Sequence, residues 1–189
     1  MFNFSIQFND KKFQASIAYL KQCSNLDKLL EEIQKIEKTL QATIVIARKE
    51  LGMFRRFLQI ACTNAVEDFH DVNKRITKRL SIEIIVNLAG TRQINDAINK
   101  IVPRGENEGI AIIVSESLEK NRDVIKFLEK TAGCVEVDHE RIDKEKVIER
   151  IVKICEISET ELNATYAEDL VEAVEKCLIS RNAMISISK

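Results

Sequence analysis

Apolar and polar residues alternate at the start of the chain, with Phe2, Phe4, Ile6 and Phe8 on one side and Asn3, Ser5 and Gln7 on the other. A repeat of two places successive side chains on opposite faces of a pleated strand, so Phe2–Phe8 predicts a half-buried strand. Asn9-Asp10 supplies turn chemistry for a hairpin into a second strand at residues 13–20. The period then changes. Leu26, Leu29, Leu30, Ile33, Ile36 and Leu40 recur at steps of three and four, which predicts an amphipathic helix with Asn25 as its N-cap. Thr43–Ala47 reads as a buried strand, and Leu51, Phe54, Leu58, Ala61, Ala65 and Phe69 trace the stripe of a long helix.

Residues 76–89 pull in two directions. Ile82, Ile84, Ile85 and Val86 favour strand, yet Ile76, Leu80, Ile84 and Leu88 fall at steps of four and Gly90 stands where a left-handed residue would end a helix. The spacing predicts a helix over 76–89, buried on more than one side. Ile94, Ala97, Ile98 and Ile101 mark a short helix stopped by Pro103, and the loop 105–109 leads into a strand at 110–114. Beyond it the pattern predicts a helix at 118–130, a strand at 134–137 and a helix at Lys144–Cys155. Ser158 and Glu161 have capping-box spacing, and a last helix at 166–179 precedes an alternating segment, 183–188, that reads as a terminal strand. Hairpins and βα units together predict an α/β fold, a mixed sheet packed with several helices.

Composition narrows this to one domain over residues 1–189, since 45% hydrophobic content with 31% charge suits one substantial core and no Pro- or Gly-rich linker interrupts it. The first ten residues lack a basic start followed by an apolar stretch, and no apolar run approaches the roughly 18 residues of a membrane span, so a cytoplasmic location is expected. Cys23, Cys62, Cys134, Cys155 and Cys177 are odd in number and widely spaced with no C-x-x-C, which predicts buried free thiols and neither a zinc site nor a disulfide framework.

The catalytic inventory is thin. His70 and His139 are the only histidines. Cys62 and His70 are eight apart on one predicted helix, about 12 Å along its axis, too far for a thiolate and its base to meet. No phosphate-binding glycine loop is present, and the loop 105–109 carries Glu106 and Glu108, which repel phosphate. Glu83 lies inside an apolar helix, where a charge needs a partner; a structural ion pair is the first reading and catalysis the second. No catalytic residue, metal site or cofactor is expected.

The net charge of −1 conceals a gradient, because residues 48–104 hold eleven Lys/Arg against six Asp/Glu, a net +5 that leaves the flanks at −6. Lys74 and Lys78, and likewise Arg75 and Arg79, are four apart. If the helix starts early enough, they form a basic helix end that binds phosphates; the alternative is a solvated end balanced by Asp68 and Asp71. No aromatic ladder accompanies them, so base stacking has no support.

The run Leu80-Ser-Ile-Glu-Ile-Ile-Val-Asn-Leu-Ala-Gly-Thr-Arg-Gln-Ile94, followed by Asn95-Asp-Ala-Ile98, resembles the signature of the small kinase-binding accessory subunit of the KEOPS tRNA-modification complex, in its archaeal form. Leu58, Ala61, Ala65 and Phe69 are similar to that family's Ala-spaced helix, 155–162 to its turn, and 182–187 to its closing strand. Cys155 stands where the family often has Gly, and Val86-Asn87 at a common aromatic position. The resemblance implies a non-catalytic protein that docks on and stimulates the atypical kinase-like ATPase subunit. It further implies binding to the single-stranded CCA end of tRNA in support of threonylcarbamoyladenosine formation beside the anticodon, with no membrane and no small-molecule substrate. On that footing the turn 87–94, with Asn87, Thr91, Arg92, Gln93 and Ile94, is the expected kinase contact, and Lys74, Arg75, Lys78 and Arg79 the expected RNA contact. The alternative for the turn is that its polar residues only cap two helices. For the whole protein, the alternatives are a scaffold without RNA contact and a small α/β enzyme.

Overall fold

The computed structural model describes residues 1–23, 26–137 and 143–187. They fall into two compact units: Met1–Gly52 with Val102–Glu140, and Met53–Ile101 with Arg141–Lys189.

The first unit is built on a sheet of β1 (Phe2–Phe8), β2 (Lys11–Lys21), β3 (Thr43–Ala47), β4 (Gly109–Ser115) and β5 (Val135–Val137). Its order is β1-β2-β4-β3, with β5 also paired to β2. The α/β class holds, but every pairing among the described strands is antiparallel, so the sheet is not mixed. The hairpin forms as expected, with Asn9 in the left-handed region at φ 49°. β2 runs longer than its apolar core because Lys11, Lys12 and Lys21 still pair at its ends.

Two helices, α1 (Leu26–Leu40) and α5 (Leu118–Ala132), bury their stripes against Ala18, Leu20, Ile44, Ile46, Ala111 and Ile113 of the sheet. Asn25, the expected cap of α1, lies outside the described residues. Three polar side chains, Ser16, Ser115 and Asn121, enter this packing together. The Asn121 amide, fully buried, donates to the Gln14 carbonyl at 3.0 Å and to Ser16 Oγ at 2.8 Å, and it accepts from Ser115 Oγ at 2.6 Å. A buried amide so fully satisfied adds specificity to the docking of α5 without a desolvation debt. The carboxylates of the loop 105–109 find cations: Arg48 reaches Glu106 at 2.7 Å and Lys49 reaches Glu108 at 2.6 Å.

The cysteine expectation is corrected here. Cys23 follows β2, Cys134 precedes β5, and the antiparallel ladder Lys21↔Val135 brings their Cα atoms to 4.1 Å in a disulfide. A separation of 111 residues hides that proximity from any reading of spacing. Cys62, Cys155 and Cys177 are free and buried.

The second unit is helical: α2 (Arg55–His70), α3 (Leu80–Ala89), α4 (Ile94–Ile101), α6 (Lys144–Cys155), α7 (Glu159–Ala164) and α8 (Leu170–Ile187). Leu51 falls in a separate 3-10 turn, Lys49–Met53, before α2 begins. Ser158 caps α7 by accepting from the Glu161 N–H at 3.1 Å. The expected terminal strand is instead the end of α8, which is helical through Ile187. Val174, Leu178, Asn182 and Ile185 are buried at steps of four and three, so the core-facing stripe runs on through a polar residue that the apolar pattern treats as a break. Among the described residues no helix is long and apolar enough to cross a membrane.

Candidate partner-binding surface of the helical unit

α3 is the centre of this unit, with Glu83, Ile84, Val86, Asn87 and Leu88 all buried. Its ten residues span about 15 Å, and the two sets of candidate residues sit at its opposite ends.

At the N-terminal end the helix starts at Leu80, not Ile76. The cause is Glu83. Its buried carboxylate accepts the Ile76 N–H at 3.2 and 3.3 Å and the Thr77 N–H at 2.9 Å, which draws residues 76–79 out of the helical path. The Thr77 hydroxyl donates to the Arg79 carbonyl at 2.7 Å, and that carbonyl takes the Ile82 and Glu83 N–H groups. At the other end of the connector Asp71 stops α2, accepting from the Lys74 and Arg75 N–H groups on its carbonyl and from the Asn73 N–H on its side chain. The reading of Glu83 as half of an ion pair thus gives way to a carboxylate that binds main chain. Burial pushes its pKa above the ordinary glutamate value, the peptide N–H groups pull it back down, and the Asp68 carboxylate adds to the upward push.

Lys74, Arg75, Lys78 and Arg79 are brought together on this connector and not on a helix face. Lys74, Arg75 and Lys78 are exposed, and Arg79 is half-buried. Arg75 lies over the Phe69 ring at 5.9 Å, while Lys74 and Lys78 have no carboxylate partner among the described residues. The balancing of this cluster by Asp68 and Asp71 therefore does not take the form of ion pairs with those lysines. Four cations near the positive end of a helix dipole raise the local potential and favour an anion there.

At the C-terminal end Gly90 closes α3 at φ 65°, its N–H reaching the Asn87 carbonyl at 3.4 Å. A Cβ on Gly90 would meet Arg181 Cβ at 3.0 Å, so both the left-handed backbone and the close approach of α8 require glycine. Asn87 is not in the turn, nor exposed. It is fully buried, donating to the Glu83 carbonyl at 3.1 Å and accepting from Asn182 Nδ2 at 2.8 Å, while the Asn182 side-chain oxygen accepts from Asn64 at 2.6 Å. This ladder across α2, α3 and α8 takes Asn87 out of any direct contact with a partner.

Arg92 Nη1 donates to the Ile185 carbonyl at 3.2 Å, which ties the turn to the end of α8. Thr91 Oγ1 accepts the Gln93 N–H at 3.2 Å, and the Gln93 carbonyl takes the Ala97 N–H to start α4. Capping thus accounts for Thr91, Arg92 and the Gln93 backbone, whereas the Gln93 side chain and Ile94, at 38% exposure, face outward. Elsewhere, burial pushes the Cys62 thiol up to about 12, so it stays protonated at neutral pH.

Sequence reasoning missed the side chains that hold this surface in place. Glu175 of α8 accepts the Phe57 N–H at 3.1 Å and so caps α2, where Phe54 offers no capping side chain. Arg181 donates to both Glu161 carboxylate oxygens, at 2.8 and 2.6 Å, and to the Cys155 and Glu156 carbonyls at the end of α6. Partners 20 to 118 residues away leave no local signal.

The candidate polar and charged side chains that face solvent lie on connecting segments whose own backbone groups are tied down inside, the kind of place where binding residues concentrate on an α/β scaffold. A family model described as kinase binding protein CGI-121 matches residues 19–185, and the chain belongs to that family. It is the KEOPS subunit family that residues 80–94 resemble, and it is described as a family of kinase-binding proteins. No curated protein matches the chain.

Proposed function

We propose that this protein is a non-catalytic cytoplasmic subunit of a KEOPS-type complex. It docks on the kinase-like ATPase subunit, stimulates it, and holds the 3′ CCA end of tRNA in support of threonylcarbamoyladenosine formation. Membership of the kinase-binding family supports the first part. The observation that carries the RNA part is the state of Lys74 and Lys78, exposed on a tied-down connector with no carboxylate partner among the described residues. A long side chain kept unpaired in water costs little, and when it neutralises an RNA phosphate it releases the counterion condensed there.

Gel shift with intact tRNA, against the same tRNA lacking its CCA end, tests the RNA part; equal shifts would remove the CCA end as the ligand. Lys74→Glu with Lys78→Glu is expected to flatten the salt dependence of binding by roughly two units of log–log slope. For the kinase part, Arg92 is a compromised probe because its guanidinium also holds the Ile185 carbonyl. Ile94→Glu is cleaner, since an acidic residue in the first turn of α4 is favoured by the helix dipole. Loss of kinase pull-down with an unchanged melting temperature is expected, and a folded variant that still binds would move the interface away from this turn.

A further inference from the structure

Three features place Glu83 outside ordinary core packing. It is a fully buried carboxylate on the most apolar stretch of the chain. Its partners are peptide N–H groups six and seven residues earlier in the sequence, outside its own helix. The segment it holds, residues 76–79, carries two of the four cations assigned to RNA and adjoins the other two. A glutamate whose only task was to fill α3 would serve worse than leucine, since burying a carboxylate is costly before its hydrogen bonds are counted.

We propose that Glu83 is the positioning residue of the RNA contact: by accepting the Ile76 and Thr77 N–H groups, it holds the connector so that its exposed cations, Lys74, Arg75 and Lys78, are presented to phosphates. This rests on the RNA reading above and adds to it a specific division of labour. The connector's N–H groups at Ile76 and Thr77 are turned inward to the carboxylate, so the phosphates are met by side chains alone and not by a cradle of backbone donors. Asp71 fixes one end of the cationic segment and Glu83 the other, leaving side-chain rotamers as the main freedom lost on binding. Held in this way, the exposed cations engage one phosphate track as a set, whereas on a loose connector each engages separately.

The test uses the full chain and a full-length tRNA transcript. Glu83→Gln keeps shape but replaces one acceptor oxygen with a donor amide that faces an N–H. In a variant shown to be folded by circular dichroism, faster amide exchange at Ile76 and Thr77 is expected. With it should come a fivefold or greater loss of tRNA affinity and a shallower salt slope, while kinase pull-down through the other end of α3 is unchanged. A merely structural role would lower the melting temperature and leave the slope alone.

If Glu83→Gln does not fold, Thr77→Val takes its place, because it removes the hydroxyl that bonds the Arg79 carbonyl and leaves the core untouched; a smaller loss of affinity with a shallower slope is then expected. Loosened exchange with tRNA affinity within twofold of wild type overturns the proposal in either variant. The Lys74→Glu, Lys78→Glu protein separates the two levels. If it also binds as wild type, the RNA reading itself fails; if it binds weakly while Glu83→Gln binds normally, only the positioning role is lost.

Discussion

Arg181 makes hydrogen bonds to a carboxylate and to two main-chain carbonyls at the end of α6, an arrangement that no short-range pattern announces. Its guanidinium holds the Glu161 carboxyl below the usual glutamate range. A depressed folded value means stability that is present above the unfolded pKa and lost as pH falls through the folded one. With both side chains 29% exposed, water screens the pair, and its contribution is about 1 kcal/mol. Glu161→Gln should therefore melt below wild type at pH 7, and the gap between the two should close as pH drops under about 4, near the unfolded glutamate value. A gap that is constant from pH 7 to pH 3 would show that the carboxylate charge is not what matters.

Helices with an uninterrupted apolar period were legible from the sequence: α4, α5 and α6 fall where spacing places them, and Gly90 ends α3 as its position implies. Two ends were not legible, each for a physical reason. α8 continues past Ile179 because Asn182 occupies a core position by pairing with Asn87 and Asn64, a satisfied polar group that reads as a surface break. α3 begins late because the Glu83 carboxylate captures N–H groups that a helix beginning at Ile76 would have left free, and so the basic residues moved from a helix face to a connector. Their clustering survives the correction; their geometry does not. The end of α3 also yields a direct prediction. Gly90→Ala should cost about 1–2 kcal/mol from the left-handed backbone alone, and the contact with Arg181 Cβ adds to it. Thermal denaturation should show a fall of roughly 2–8 °C for a chain of this size, with Gly90→Asn milder because asparagine tolerates the left-handed region. An unchanged melting temperature would mean that the turn relaxes without penalty.

For the whole molecule, the charge gradient seen in the sequence divides by use. Arg48 and Lys49, counted in its basic middle, are spent on Glu106 and Glu108 within the sheet unit, while Lys74, Arg75 and Lys78 stay exposed in the helical one. The disulfide closes the sheet unit in another way, linking the end of β2 to the start of β5 across 111 residues of chain. Holding so long a loop closed takes entropy from the unfolded ensemble and is worth about 4–5 kcal/mol. Reductant should lower the melting temperature of the wild-type protein and leave a Cys23→Ser, Cys134→Ser double variant unmoved; equal responses would exclude the bond as a source of stability. The order of the chain gives α8 a further consequence. Glu175, Arg181 and Asn182 complete α2, α6 and α3, all of which leave the ribosome before it. The sheet unit has all its residues once position 140 has been translated, so it can close first, while the nascent helical unit waits for its last helix before its earlier ones are finished.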